Sequence, residues 1–324
     1  MATYTIPRAF VWRRLHSLMG LWLVLFLLEH LLTNSQAALL LGENGGGFVR
    51  MVNWIHDLPY LAVIELFLIG TPIAIHGILG IKYLFTAKNN AKSSDGSTPS
   101  LKEYGRNKAY SWQRITSWIL LIGIICHVAK FRFIEYPKSV TQGNESFYFV
   151  KISMDKGLYT VAARLGVDLY DDAKIESAKA EFAKFPNVNM HENSSSDVFN
   201  ALEQQDLVTR QKQEQDKEWL RALTSRPITK NEVIAVTNSF GTASMMSVRD
   251  TFKSPVYVGL YTIFVLAACF HAFNGLWTFM ISWGLIFQRA AQKSMVHLCT
   301  AIMITIAFLG LAAVWGTYWL NLRY

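Results

Sequence analysis

Residues 15–37 read LHSLMGLWLVLFLLEHLLTNSQA, a long apolar run that carries His30 near its far end. A helix of roughly 20 mostly apolar residues is long enough to cross a bilayer. Four further segments have this character, at about 60–86, 111–132, 256–286 and 295–320. The sequence therefore predicts an all-α membrane protein built as a bundle of five transmembrane helices.

The first apolar run also invites comparison with a secretory signal peptide. Arg8, Arg13 and Arg14 precede it, and Ser35-Gln36-Ala37 weakly resembles a cleavage site. The run is longer than the core of a signal peptide, and a buried histidine is foreign to such a core. We expect the segment to be retained as a helix.

A polar block interrupts the apolar pattern between the third and fourth helices. It divides the chain into residues 1–134 with helices 1 to 3, a polar insertion at 135–253, and residues 254–324 with helices 4 and 5. Inside the block, acidic caps and a following proline predict helices at 172–185 and 198–224. Residues 187–196, with His191, are predicted to form a loop between these two helices. Between the membrane helices, a short loop at 38–58 and a tight turn at 287–294 are predicted.

The placement of charge predicts the orientation in the membrane. The net charge is +8, yet the stretch from Lys130 to Lys253 contains equal numbers of basic and acidic residues. The excess lies at the N-terminus and in the connections between helices 2 and 3 and between helices 4 and 5. Basic residues accumulate on the cytoplasmic side of membrane proteins. We therefore expect a multi-pass protein of a bacterial inner membrane, with a cytoplasmic N-terminus and an extracytoplasmic C-terminus and insertion, and no nucleic-acid partner.

Four histidines fall inside four different predicted membrane helices: His30, His76, His127 and His271. An ionisable ring is costly in lipid unless a partner holds it. Neutral imidazoles in a helix bundle suit a metal cofactor, most simply haem iron. The sequence contains no Cys-x-x-Cys-His, so such a haem would lack thioether links, and the three cysteines are expected to be free. The alternative is that the histidines are polar contacts between helices.

The predicted topology assigns these histidines approximate depths. His30 and His127 fall towards the far ends of helices that run outward, whereas His76 and His271 fall past the middle of helices that run inward. Depth alone therefore pairs His30 with His127 and His76 with His271.

Glycines accompany three of the four histidines at a spacing of four residues. Gly80, Gly123 and Gly275 share a helix face with the neighbouring imidazole. Such glycines would leave room for a flat macrocycle, although small residues also allow close packing of helices.

Polar residues near the ends of the helices are further candidates. Haem propionates need cationic or hydrogen-bonding partners, and the inner side offers Arg14, Ser17, Trp112, Arg114, Arg289 and Lys293. His16 is predicted near propionates or a quinone head group, and Glu65 in proton exchange at an outer quinone site. The alternatives are ordinary basic flanks for the cations, an interfacial histidine and an interfacial acid.

The motifs around these residues resemble a known family. They are Arg13-Arg14-Leu15-His16-Ser17, Glu29-His30-Leu31, His56-Asp57-Leu58-Pro59 followed by Glu65, Phe85-Thr86-Ala87-Lys88-Asn89-Asn90, Gln113-Arg114-Ile115-Thr116 and His271-Ala272-Phe273-Asn274-Gly275-Leu276-Trp277. In this order they resemble the di-haem cytochrome b subunit, of b558 type, of succinate:quinone oxidoreductase.

This resemblance implies a function that residue spacing alone does not show. It implies two haems b with the axial pairs His76/His271 and His30/His127, and a flavoprotein and an iron–sulfur subunit docked on the cytoplasmic side. Electrons would pass to a quinone, typically menaquinone, while the dicarboxylate chemistry stays on a partner subunit. The large outer insertion is absent from the short members of the family.

Three alternatives remain open at this stage. The same anchor could serve a quinol:fumarate reductase, because the sequence does not set the direction of electron flow. A haem-free transporter could use intramembrane His and Glu, although such folds show inverted repeats and broken helices. A purely structural anchor could use its histidines for packing.

Overall fold

The computed structural model describes residues 6–38, 43–86, 95–96, 100–101, 103–182 and 196–323. Part of the polar connection between helices 2 and 3 and the predicted loop around His191 lie outside the described residues.

Within these described ranges, five helices are long and apolar enough to cross a membrane. We call them spans 1 to 5, and they comprise Arg8–Ser35, Leu61–Thr86, Gly105–Ile134, Pro255–Ser282 and Arg289–Leu320. The predicted all-α bundle is confirmed, but spans 1, 3 and 5 begin earlier than predicted because polar flanking residues continue the helix. The predicted turn at 287–294 is correspondingly shorter, since span 5 already starts at Arg289.

Spans 1 and 4 form the centre of the bundle. Span 1 packs against spans 2, 4 and 5, and span 4 also packs against spans 3 and 5. Their contacts bury an apolar cluster that includes Val24, Leu31, Val265, Phe273 and Ile306. Large apolar side chains elsewhere on the spans face outward, as lipid-facing helices require.

Three spans change to a π-helical turn at the same end of the bundle. The turns are Leu66–Gly70 in span 2, Ala129–Ile134 in span 3 and Ala312–Gly316 in span 5. This end also carries the polar block, and we call it the domain end. Single π turns locally widen a helix and are frequent at functional sites.

The polar block is an α+β domain, which the sequence analysis did not predict. Its antiparallel sheet has the order β1-β2-β4-β3, with β1 Lys138–Gln142, β2 Glu145–Ser153, β3 Asp168–Tyr170 and β4 Glu232–Thr237. The domain's helices are Leu158–Leu165, Asp172–Phe182, Ser196–Thr224 and Phe240–Thr251. The two predicted helices of the block are thus present, while all four strands were missed.

Helices cover both faces of this sheet. Along β4, Val233 and Ala235 pack with Leu158 and Met246 on one face. Ile234 and Val236 pack with Trp219 on the other face. A strand buried on both sides reads as a continuous apolar run rather than an alternating one, and β4 has this pattern.

The segment predicted as a loop at 38–58 contains a helix, Gly46–His56. Its start is compatible with the glycine run, because Asn44 and Gly45 adopt left-handed backbone angles just before it. After this helix, Tyr60 also has a positive φ of 57°. Span 2 therefore starts at Leu61, close to the predicted start at about residue 60.

The domain rests on this short helix. The side chain of Asn53 donates to Oγ of Ser239 at 3.1 Å, and its Oδ1 accepts from the backbone N–H of Gly241 at 2.7 Å. The ring of His56 stacks on Phe240 with centroids 3.8 Å apart. Nε2 of His56 also lies 3.3 Å from the hydroxyl of Tyr148. His56 therefore lies at the contact between the domain and the bundle.

We expect Gly241→Ala to weaken the packing of the domain on the helix Gly46–His56. A Cβ at this position would lie 2.5 Å from the backbone oxygen of Val49, so two helix backbones would have to separate. Overpacking of this kind costs about 1–3 kcal/mol. Hydrogen–deuterium exchange should accelerate in both 46–56 and 240–251. Gly259→Ala is the control, because a Cβ there meets no atom within 4 Å; equal exchange in both variants would contradict the prediction.

Candidate functional site

The structure brings each predicted histidine pair together. The ring centroids of His30 and His127 are 5.9 Å apart, with an interplanar angle of 88°. Those of His76 and His271 are 6.2 Å apart, with an angle of 82°. Each pair joins two different spans, so the bundle contains two separate sites along its length.

His76 has a backbone partner. Its Nδ1 lies 2.9 Å from the backbone oxygen of His16 in span 1. The ring of His16 also stacks on that of His76, with centroids 4.0 Å apart and planes inclined by 11°. The sequence analysis placed His16 at the inner surface, whereas the structure packs its ring against a candidate ligand.

His271 is surrounded by polar groups of span 3. Its Nδ1 lies 3.3 Å from Oγ1 of Thr116 and 3.5 Å from Oγ of Ser117. Gln113 donates to the backbone oxygen of His271 at 3.0 Å and accepts from Asn274 at 2.8 Å. These bonds fix span 4 against span 3 at the level of the histidine.

His127 has a phenol as its partner. Its Nδ1 lies 3.1 Å from the hydroxyl of Tyr261 in span 4. Sequence reasoning missed this tyrosine, because nothing in its spacing on span 4 relates it to a histidine on span 3. His30, for its part, contacts Phe26 with ring centroids 5.2 Å apart.

The spacing within each pair fits a metal atom held by two imidazoles. Metal–imidazole bonds are about 2 Å long, so two such bonds plus the half-widths of two rings amount to roughly 6 Å. Among the described residues, no group of three or more His, Cys, Asp or Glu side chains could hold a bare metal ion. A site with two protein ligands suits a haem, because the macrocycle supplies the remaining ligands.

The glycines near the histidines have neighbours of their own. A Cβ on Gly123 would collide with the ring of Phe264, and one on Gly275 would lie 3.6 Å from Nε2 of Gln113. Gly80 faces His16. In this structure these glycines therefore allow close packing of side chains, which was the alternative to an open space. The glycine that directly adjoins a candidate ligand is Gly20, against His76.

Several candidates for propionate binding lie at the end of the bundle opposite the domain. Arg14 donates to the backbone oxygen of Ser282 and lies over the ring of Trp283, at 5.1 Å from its centroid. Trp283 in turn donates to Oγ of Ser17 at 3.3 Å. Arg14 and Ser17 share the first turns of span 1 with His16, whose ring stacks on that of His76.

The other candidates on this end belong to different helices. Arg114 of span 3 reaches the backbone oxygen of Leu84 in span 2 at 3.5 Å. Trp112 and Lys293 are exposed. Arg289 begins span 5.

Glu65 lies at the domain end and forms an ion pair. Its Oε2 accepts from Arg132 of span 3 at 2.6 Å, and both side chains remain partly exposed. The guanidinium of Arg132 also covers the ring of Tyr136 at 4.7 Å from its centroid. Glu65 immediately precedes the π turn of span 2, and Arg132 lies within that of span 3. The acid predicted for proton exchange is thus held by a cation that the sequence analysis did not name.

Comparison with known proteins bears on these two sites. The chain is 23% identical over 310 residues to the protein named succinate dehydrogenase cytochrome b558 subunit of Bacillus subtilis (strain 168). The alignment covers 95% of this chain and 97% of that protein. The chain is thus similar over almost its whole length to a succinate dehydrogenase cytochrome b558 subunit. No family model and no solved structure matches it.

This finding confirms the resemblance drawn from the motifs. Together with the five apolar helices, it supports a multi-pass helical membrane protein that is similar to a cytochrome b558 subunit. Because the alignment spans nearly the whole of both chains, the similarity is not limited to one or two helices.

Proposed function

We propose that this chain is the membrane-anchor cytochrome b subunit of a succinate:quinone oxidoreductase. The observation that carries the proposal is the pair of histidine sites, 5.9 and 6.2 Å across, in a chain similar over its length to a cytochrome b558 subunit. His76 and His271 would hold one haem b, and His30 and His127 the other. When bound, such haems supply one-electron transfer between an iron–sulfur subunit and a quinone, and menaquinone is the expected quinone.

The residues around each pair orient the ligands. A histidine that binds a metal through Nε2 donates its Nδ1–H to a second group, which fixes the ring. The backbone oxygen of His16 accepts this bond from His76, and the phenol of Tyr261 accepts it from His127. The hydroxyls of Thr116 and Ser117 serve His271. With an imidazole on each side, the iron of either haem would have no open position, which favours electron transfer over binding of a further molecule.

The ends of the bundle would have different tasks. We propose that the end carrying Arg14, Ser17, Trp112, Arg114 and Lys293 is cytoplasmic, binds haem propionates and docks the flavoprotein and iron–sulfur subunits. The domain at 135–253 would then be extracytoplasmic, with the whole chain in a bacterial inner membrane. The basic flanks of spans 1, 3 and 5 support this orientation.

Two acid–base groups are proposed to act at quinone sites. Glu65 at the domain end would exchange protons with a bound quinone, and Arg132 would hold its carboxylate in position. His16 at the opposite end has a buried Nδ1 without a hydrogen-bond partner among the described residues, which leaves that atom for a quinone or a propionate.

A second candidate is the same anchor in a quinol:fumarate reductase. The histidine sites are equally suited to either direction of electron flow. A haem-free transporter is less well supported, because each of the four histidines faces another histidine rather than an ion path.

The first test is a dithionite-reduced minus oxidised spectrum of the purified full chain, with haem quantified per polypeptide. About two haems b per chain would support the proposal, since each bis-histidine site takes one. A chain in the membrane without any haem band would overturn it and favour the transporter or a structural anchor.

We expect Tyr261→Phe to weaken one haem site selectively. The variant keeps the ring but leaves Nδ1 of His127 without its phenol partner, and loss of such a partner typically lowers metal affinity about 10- to 100-fold. Transfer of haem to an apoprotein acceptor should show one faster phase. The control is Tyr257→Phe, one turn earlier, whose ring only underlies Lys130. Identical transfer kinetics in the two variants would contradict this role.

A further inference from the structure

The ring of His16 and the backbone at Gly20 together form the surface of span 1 on which the ring of His76 packs. The two imidazoles lie almost parallel, with centroids 4.0 Å apart. One turn further along span 1, Gly20 presents no side chain to the same ring. A Cβ there would lie 2.9 Å from Cε1 of His76 and 3.1 Å from Nδ1. Span 2 can therefore bring its histidine directly onto the backbone of span 1.

The hydrogen bond between His76 and the backbone oxygen of His16 determines which nitrogen of His76 carries the proton. A carbonyl oxygen can only accept a hydrogen bond, so Nδ1 of His76 must be the donor to His16. Nε2 is then the nitrogen with a free lone pair. The partner of His127 is a phenol hydroxyl, which can donate as well as accept and leaves the tautomer of that ring open. The hydroxyls of Thr116 and Ser117 already donate to backbone oxygens of span 3, so they accept from Nδ1 of His271. The tautomer of His76 is imposed by a backbone oxygen.

His16 is itself held from another side. The ring of Tyr83 meets it edge-on, with centroids 5.3 Å apart and planes at 88°. Gly80 allows this approach, since a Cβ there would lie 3.6 Å from Cε1 of His16. A side chain fixed by its own neighbours can restrict the rotation of the ring stacked on it.

We propose that His16 is a positioning residue for His76: its ring fixes the plane of the His76 imidazole, and its backbone oxygen directs Nε2 towards the site shared with His271. This inference rests on the proposed function, in which His76 binds haem iron. In this role, His16 acts through the face of its ring, which stacks on His76, and through its backbone oxygen. The edge of the ring, with the unpartnered Nδ1, is not needed for this task.

If His16 positions His76, a change at His16 should affect only one of the two haems. The angle between the two imidazole planes of a bis-histidine site and the hydrogen bond on Nδ1 both tune the electronic properties of the iron. A disturbed His76 should therefore change the haem held by His76 and His271. The haem held by His30 and His127 serves as an internal reference.

The experiment compares four variants of the full chain by redox titration and by electron paramagnetic resonance of the oxidised haems. His16→Ala removes the stacked ring, and His16→Phe keeps an aromatic face without ring nitrogens. Gly20→Ala pushes a methyl group against His76 while favouring the helix. Gly77→Ala is the matched control, because it adjoins His76 in sequence but its Cβ would meet no atom within 4 Å.

We expect His16→Ala and Gly20→Ala to shift the midpoint potential and the low-field resonance of one haem and to leave the other unchanged. His16→Phe should retain the low-field resonance of that haem, which reports the plane of the His76 ring, even where loss of the ring nitrogens changes its midpoint potential. Gly77→Ala should retain both signals. If His16→Ala does not assemble, Gly20→Ala and His16→Phe still decide the outcome.

The inference would be overturned by two wild-type-like haems in Gly20→Ala and His16→Ala, or by equal shifts of both haems. Equal changes in His16→Phe and His16→Ala would also overturn it, because they would assign the effect to the ring nitrogens. A wild-type chain without haem is a different result, which removes the proposed function itself.

Discussion

His271→Ala should lower the haem content from about two to about one per chain, because a six-coordinate bis-histidine haem needs both rings of its pair. His127→Ala should do the same at the other site. The two single variants should retain different haems, with distinguishable midpoint potentials. The variant with both substitutions should hold none. Haem per polypeptide is measured by the pyridine haemochrome absorbance of purified protein.

A control is needed to distinguish loss of a haem ligand from loss of the protein from the membrane. His297→Ala is the control, since His297 is an exposed histidine in the first turns of span 5. The amount of each variant in the membrane fraction is compared by immunoblot before haem is quantified. Two haems remaining in both His271→Ala and His127→Ala would show that the pairs assigned here are not the ligands.

Asp155→Asn should produce the largest loss of stability in the polar domain. Asp155 accepts two bonds of 2.8 Å from Arg249 and one of 2.6 Å from Lys253. Lys253 also contacts Asp250 at 3.0 Å, directly before span 4 begins at Pro255. The side chains of this cluster are no more than 25% exposed. Replacing the carboxylate of Asp155 removes the charge that Arg249 and Lys253 share and leaves Lys253 its ion pair with Asp250.

We expect this change to cost about 2–3 kcal/mol, below the range for a fully buried pair because the cluster retains some solvent contact. The free energy of unfolding of the domain can be followed in the full chain by pulse proteolysis in urea. Glu214→Gln is the control, because the Glu214–Lys217 pair lies exposed on a helix surface and should contribute little. Equal stability of the two variants would contradict the assigned role of the cluster.

The same cluster makes a prediction about pH. Burial raises the pKa of the Asp155 carboxyl, but the hydrogen bonds and charges of Arg249 and Lys253 outweigh it and hold this pKa well below its usual range. A depressed carboxyl pKa stabilises the fold above the unfolded-state pKa, and this stabilisation is lost as pH falls through the folded-state value. The difference in stability between wild type and Asp155→Asn should therefore be constant from pH 7 to about pH 5 and shrink below about pH 4.

Much of the bundle follows from sequence because lipid imposes a simple rule. A segment surrounded by hydrocarbon must satisfy its backbone internally and present apolar side chains, so long apolar runs identify the five spans. The same rule makes a buried histidine conspicuous. Alternating helix directions then give depths, and depths suffice to match His30 with His127 and His76 with His271, the rings that the structure brings together.

The strands of the polar domain do not follow from the sequence because they lack a simple alternating pattern. β4 is apolar on both faces, and a short apolar run does not distinguish a buried strand from part of a helix. β3 has only three residues, which is too short for any periodicity. The helix Gly46–His56 was read as a loop since its glycine run marks a turn, although the turn is completed before the helix starts.

The sequence by itself determined the number of spans, the candidate ligands and their pairing, because these depend on composition and on position along one helix. Only the tertiary structure decided what each candidate ligand contacts: His16 on His76, Tyr261 on His127, Thr116 on His271 and Arg132 on Glu65. These partners come from different spans, and their meeting depends on how each helix is rotated about its axis. That rotation is set by the packing of all five spans together, a property that no single stretch of sequence contains.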